Sequence, residues 1–395
     1  MNKSELSILG EYHLTSNPYP ASGISPAIDG KFDFPKGLKT KFQDVVKRIE
    51  KDRGVKALTI TGPYGSGKTT FLQNYVQSEF HKMQFMTFFF SEPGVRFYDL
   101  ANQMFRIMGR YNFARGVWEY SRNKIRQKQT YLQAPTFESF FQDLMGKRKE
   151  RTNWEKEFAQ FLIKDGITGE LEVATKIARL VLETYEKPFF EYSDFTRGKL
   201  IAEREESIYF SAILNCIIKI FTVRGVVFII DEFENLAVRK DVSKPKASEY
   251  LVSLRNLIDT SKGVDFWIVI GVTPETQDQI MEMNPALWDR VTNKGNYAIK
   301  LDPLSTDDAL RVVEWWLKTV RPEGDTPPND TFPFDNKLGE FLESMQPTGR
   351  FPRALVRLFF FVISEAIVQA KNPPITIEFI EQISTKYDKF ITVSK

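Results

Sequence analysis

Apolar residues fall along this chain in two kinds of run, and the kinds alternate. Over Lys39 to Lys51, the positions Phe42, Val45, Val46 and Ile49 recur at helical spacing, and Gly54 follows where such a helix would stop. Residues 57–61, 85–90, 226–230, 266–272 and 297–301 are instead nearly continuous in apolar and β-branched side chains. That is the pattern of parallel strands covered on both faces by helices. Helical periodicity returns at Phe97 to Met108, at Glu203 to Phe221 and from about Lys68 to Phe80. The predicted architecture is therefore α/β: a three-layer core with a parallel sheet.

Connection lengths divide the chain further. About 135 residues separate the second strand run from the third, far more than a crossover needs, so a helical insertion is predicted over about 109–197. After Leu301 no strand pattern remains. Ser305 and Asp308 are spaced as a helix cap, and a Pro-rich stretch at 321–333 precedes further helices. The predicted organisation is an N-terminal linker over 1–36, a core over 37–302 and an all-α domain over 303–395. In the linker, Asn17-Pro18-Tyr19-Pro20 cannot start a helix, because each Pro restricts the residue before it. This draped segment is a candidate for contacts to an adenine ring.

Composition removes several classes of function. Across 395 residues, 42% hydrophobic and 27% charged is ordinary globular usage. The longest apolar run, Leu358 to Ile363, ends at Ser364 and Glu365, short of the ~20 residues a bilayer span needs. Residues 1–10 lack the apolar centre and cleavage site of a signal peptide, so a cytoplasmic protein is expected. The lone Cys216 lies in an apolar helical stretch and is read as core filling. His13 and His81 are far apart, which disfavours zinc enzymes and triad hydrolases. The net charge of +3 is small but unevenly placed. From Arg106 to Lys156 there are twelve Lys and Arg against five acidic residues, interleaved with Tyr111, Trp118, Tyr120, Tyr131 and Trp154. Such a stretch suits phosphates and stacked bases, a protein partner, or helices with solvated basic faces over buried aromatics.

The most specific chemistry follows the first strand run. Gly62-Pro63-Tyr64-Gly65-Ser66-Gly67-Lys68-Thr69, with Thr70 after it, fits the G-x-x-x-x-G-K-[ST] phosphate loop. Glycines let backbone N–H groups converge on phosphate oxygens, and the helix that follows points its positive end at the same anion. Lys68 is expected to reach the β and γ phosphates and Thr69 to ligate Mg²⁺. The third run closes on Asp231 and Glu232, suited to holding the Mg²⁺ shell and polarising an attacking water. Thr273, ending the fourth run, is placed to orient that water or simply to end a strand. Arg290 is a candidate for reaching the phosphates of a neighbouring subunit, the alternatives being a pair with Asp289 or a solvated side chain. Arg353 sits in the first turn of a long helix predicted over about 354–370, where the helix dipole disfavours a cation. Contact with a nucleotide would explain it.

In this order the pieces resemble an AAA+ ATPase of the P-loop NTPase class. The resemblance implies a Walker A motif at Gly62 to Thr69, a Walker B motif at Val227 to Glu232, a sensor-1 candidate at Thr273, an arginine finger at Arg290, a sensor-2 residue at Arg353, and a lid after Asp302. Asp194-Phe195-Thr196-Arg197-Gly198 with Asp231-Glu232-Phe233-Glu234-Asn235-Leu236 is similar to the initiator-like ATP-binding proteins of bacterial and archaeal phage-defence systems such as BREX. Only about 25 residues follow Ala370, so the winged-helix DNA-binding domain of the initiators is not expected within this sequence.

The resemblance implies a Mg²⁺- and ATP-dependent hydrolase that forms homo-oligomers and couples ATP to DNA or effector engagement, with no membrane partner. A nucleotide-gated adaptor that recruits a nuclease or other effector with incidental turnover is the alternative. A small-molecule kinase suits the loop but not the helical C-terminal region.

Overall fold

The computed structural model describes residues 3–22, 32–52, 56–94, 97–124, 134–144, 148–184, 203–238, 243–261 and 264–391. The segment 194–198 and Tyr131 lie outside the described residues. The chain divides into two compact units, Gln43–Ile60 with Tyr75–Ile299, and Met1–Phe42 with Thr61–Asn74 and Lys300–Lys395.

The first unit is built on a parallel five-stranded sheet: β1 (Ala57–Thr61), β2 (Phe85–Phe90), β3 (Gly225–Ile230), β4 (Phe266–Val272) and β5 (Ala298–Lys300), in the order β2-β3-β4-β1-β5. This order accounts for the apolar runs. The inner strands β3, β4 and β1 are buried at every position, whereas β2 and β5, at the edges, alternate with half-buried or exposed residues. Register is fixed by pairs such as Ile230 opposite Phe90 on one side and Ile270 on the other. At the start of β3, Gly225 is required by close approach, because a Cβ would lie 2.1 Å from the Asp265 carbonyl oxygen.

Between β2 and β3 the expected helices are present. Phe97–Met108 and Glu203–Phe221 flank the insertion, which contains the helices Arg110–Lys124, Phe137–Leu144, Arg148–Lys164 and Leu171–Leu182. The insertion shares one continuous core with the sheet, running from Phe105 and Phe113 through Phe140, Leu162 and Ile177 to Phe210 and Phe228. Its aromatic residues are largely consumed by that core. Trp118 and Trp154 are buried, Trp154 stacks on Phe158 at 4.7 Å, and Tyr111 is partly buried with its hydroxyl on Glu138. Of the alternatives the sequence left open for this stretch, the two tryptophans follow the one with buried aromatics: they are not available to stack on bases, since burying such large apolar rings stabilises the helix packing. Cys216 is buried as expected, and burial pushes its thiol up to about 12.

The second unit is helical. Ser305 caps the Thr306–Thr319 helix as its spacing predicts, accepting from Asp308 N–H at 3.1 Å and donating to Asp308 Oδ2 at 2.8 Å. This helix packs with Leu338–Ser344, Pro352–Val368 and Ile377–Lys386 around Val313, Leu342, Phe359 and Ile380. The opening segment is not a draped linker. Lys3–Glu11 is helical, and Leu9, Tyr12, Leu14 and Tyr19 are buried in the same core. The Asn17 amide donates to the Phe360 carbonyl and to Ser364 Oγ, both at 3.0 Å, and Tyr19 OH donates to the Val313 carbonyl. Asn17 and Tyr19 therefore hold this segment to the C-terminal helices, and the expectation of adenine contacts from them is replaced by that structural role. A linker reading fails because a few large side chains at irregular spacing are enough to dock a segment that has no repeating pattern.

Candidate nucleotide site

The glycine loop leaves β1 at Thr61 and turns into a helix at Lys68. Gly62 has no room for a side chain: a Cβ there would lie 2.5 Å from Ser66 Oγ and 3.1 Å from Leu301 Cβ. Ser66 N–H donates to the Pro63 carbonyl at 3.2 Å and closes the turn. Gly65 and Gly67 have φ of 78° and 89°, in the left-handed region that favours glycine. The helix is α over Lys68–Thr70, π over Phe71–Val76 and α again over Gln77–Lys82.

Within the loop the side chains differ sharply in environment. Lys68 is buried, and its Nζ donates to the carbonyls of Gly62 at 2.7 Å and Pro63 at 3.4 Å, 5.5 Å from the centre of the Tyr64 ring. Ser66 is buried, and its Oγ has no hydrogen-bond partner. Tyr64 and Thr69 are exposed, and Thr70 is half-buried. A cradle turned by left-handed glycines, an orphaned buried hydroxyl and a buried ammonium together fit an anion with several oxygen acceptors.

The second half of this arrangement comes from far along the chain. The long helix is Pro352–Val368, two residues earlier than its apolar pattern suggests, with Pro352 preset for the first position. Its Arg353 N–H, one of the donors a helix start leaves unpaired, donates to the Gly65 carbonyl at 3.2 Å. Pro352 Cγ lies 3.6 Å from where a Cβ on Gly67 would stand. Arg353 is therefore brought to the glycine loop, and its side chain is half-buried there.

The acidic residues follow β3 in the sheet unit. Asp231 is buried, and its N–H donates to the Phe90 carbonyl at 2.9 Å, extending the ladder by one residue. Glu232 then adopts φ of 45°, a conformation costing a non-glycine residue roughly 1–2 kcal/mol, and its side chain is exposed. Strain of this kind at a strand end is a recurrent mark of functional positions. Glu232 Oε2 accepts from Asn235 Nδ2 at 3.1 Å; Asn235 falls in the 231–236 motif, which assigns it no role.

Two further candidates have structural partners. Thr273 is buried and caps the Pro274–Met283 helix, its Oγ1 accepting from Thr276 N–H at 3.3 Å and lying 3.0 Å from Thr276 Oγ1. Arg290, on the Pro285–Thr292 helix, pairs with Asp259 at 3.0 Å and not with the adjacent Asp289. Asp259 also lies 3.7 Å from Arg255 Nε.

No protein-family model matches the chain, and no curated protein matches it in sequence. No helix among the described residues is long and apolar enough to cross a membrane.

Proposed function

We propose that this chain is a Mg²⁺-dependent ATPase of the AAA+ type, with a P-loop core and a helical lid, whose nucleotide cycle drives homo-oligomer assembly and engagement of DNA or an effector protein. The observation that carries the reading is the glycine loop: Gly65 and Gly67 hold the left-handed backbone that turns it, Ser66 keeps a buried hydroxyl without a partner, and Lys68 lies buried in the same turn. The sheet order, with β4 between β1 and β3, supports it, because parallel strands bring their carboxyl ends, where ligands bind in α/β sheets, to one edge.

In this reading backbone N–H groups of the loop and the Lys68 ammonium would bind the phosphates of ATP, and Thr69 and Asp231 are each candidate ligands for Mg²⁺. The metal supplies neutralisation of charge on the phosphate oxygens. Glu232 takes the proton from the attacking water, for which its exposed carboxylate is suited. Arg353 fixes the lid helix to the loop, and Arg290 serves the site of a neighbouring copy. A role in phage defence rests on the motif resemblance alone.

The hydrogen bond from Asn235 to Glu232 favours a second reading. A carboxylate oxygen already engaged by an amide is occupied by a partner other than the attacking water, which suits a nucleotide-gated adaptor with slow turnover. ATP binding and hydrolysis by the full chain test both readings. Lys68→Ala should lose ATP binding, and Glu232→Gln should keep binding while hydrolysis falls about 10²–10⁴-fold. A Lys68→Ala protein indistinguishable from the parent refutes the proposal, and turnover indifferent to DNA alongside stable capture of a protein partner selects the adaptor.

A further inference from the structure

The insertion carries a cleft of about 490 Å³ between the Arg110–Lys124 helix and the end of the Glu203–Phe221 helix, a volume within the range of small-molecule sites. Its walls combine rings with paired polar groups. Gly116 forms the floor, where a Cβ would stand 2.6 Å from the Phe221 ring, so the ring packs closely against bare backbone. Tyr120 forms a second aromatic wall, held in place by its hydroxyl, which donates to Asp165. Arg115 and Glu119 line the rim as an ion pair 2.8 Å apart, both about half-exposed, so each retains capacity toward a ligand. Asn123 adds an exposed carboxamide.

We infer that this cleft receives an unpaired base of single-stranded nucleic acid. A planar heterocycle has faces for the two rings and an edge presenting donors beside acceptors. A guanidinium, a carboxylate and a carboxamide side by side match such an edge. An aliphatic or wholly anionic ligand would leave Glu119 opposed or the rings unused. The strand's phosphates find complementary charge beside the cleft: exposed Arg115 and half-buried Arg122 outnumber Glu119 on one helix, and exposed Lys219 is next to Ile220 of the lining on the other. The buried tryptophans take no part, so base contact is confined to Tyr120 and Phe221. The inference deepens the proposed engagement of DNA and rests on that part of the reading, not on the glycine loop.

Fluorescence anisotropy of the full chain with a labelled single strand of about twelve nucleotides tests it, without ATP and in about 0.15 M salt. The strand is used as DNA, as RNA, and as an abasic backbone of equal length. Tight binding of the DNA or RNA strand, with roughly tenfold weaker binding of the abasic backbone, is expected. The Arg115→Ala/Asn123→Leu protein should lose a similar factor, and Lys164→Ala, an equal charge change outside the cleft, should lose less than about twofold. Both substituted positions are exposed, and an unchanged circular-dichroism melt verifies folding. Equal affinity for abasic and base-bearing strands overturns the inference, as does equal weakening by Lys164→Ala. Displacement of the strand by an acidic peptide at equal concentration also overturns it and makes the surface a protein site. Lys68→Ala should bind the strand normally. If the parent hydrolyses ATP but ignores the strand, the cleft inference falls and the ATPase reading stands.

Discussion

Replacing Ser66 by Ala moves two measurable quantities in opposite directions. Ser66 Oγ is buried and has no hydrogen-bond partner, although a buried hydroxyl left unsatisfied costs about 1–3 kcal/mol. Removing it spares that cost and vacates only the volume of one oxygen beside Gly62. The variant is expected to be as stable as the parent or more so, by up to about 1–2 kcal/mol, which is roughly 2–4 °C in melting temperature per kcal/mol for a domain of this size. Toward a nucleotide the sign reverses. A hydroxyl donating to a charged oxygen contributes about 1.5–3 kcal/mol, so ATP affinity should fall roughly ten- to a hundredfold. Differential scanning fluorimetry gives the first quantity and isothermal titration calorimetry with ATP and Mg²⁺ the second. A companion substitution separates space from hydrogen bonding. Gly62→Ala places a Cβ 2.5 Å from Ser66 Oγ, and adding Ser66→Ala removes that contact while leaving 3.1 Å to Leu301 Cβ and Ser66 Cβ. The double variant should therefore regain part of the stability that Gly62→Ala loses. If Ser66→Ala melts lower than the parent and binds ATP unchanged, the hydroxyl serves the fold and the reasoning about the cradle is wrong.

Thr273→Ala should cost about 1–2 kcal/mol, because it strips the cap from Thr276 N–H, whereas Thr273→Ser should not; an ATPase loss beyond the loss of folded protein would retain the water-orienting role. Arg290→Ala breaks a partly exposed pair and should change stability by less than about 1 kcal/mol while lowering ATPase by about 10³-fold or more. Mixing it with Lys68→Ala should restore turnover at interfaces pairing an intact loop with an intact arginine, and no restoration on mixing counts against action across subunits. Glu365 is held at about 2 by hydrogen bonds from Lys386 and Tyr387, then Gln369. Its folded-state value lies below the ordinary carboxylate value, so its contribution is complete above that value and lost as pH falls toward 2. Melts of Glu365→Gln and the parent should differ most near neutrality and converge near pH 2, and a constant difference across that range would contradict this.

The local devices of the chain were written in its sequence. Continuous apolar runs located the strands, most plainly β1, β3 and β4, because an inner parallel strand is buried on both faces and has no polar positions to spare. The Ser305 cap and the glycine spacing of the loop were legible for the same reason, since each acts over a few residues and imposes its own composition. The joining of the opening segment to the C-terminal helices depends on which large side chains find a cavity, as Tyr12 and Tyr19 do, and no spacing rule encodes that.

Partner choice was likewise decided in three dimensions. Arg290 takes Asp259, 31 positions away, over its neighbour Asp289, and Arg353 gives its backbone N–H to a carbonyl in a loop nearly three hundred positions earlier. The sequence by itself determined the chemical inventory, a glycine-rich loop ending in a lysine and acids at a strand end, because those follow from residue type and short-range geometry. Only the tertiary structure decided which charges are neutralised, which aromatic faces are spent in the core and which hydroxyl is left without a partner. Those outcomes depend on contacts among residues distant in the chain, where packing and desolvation, not local propensity, set the free energy.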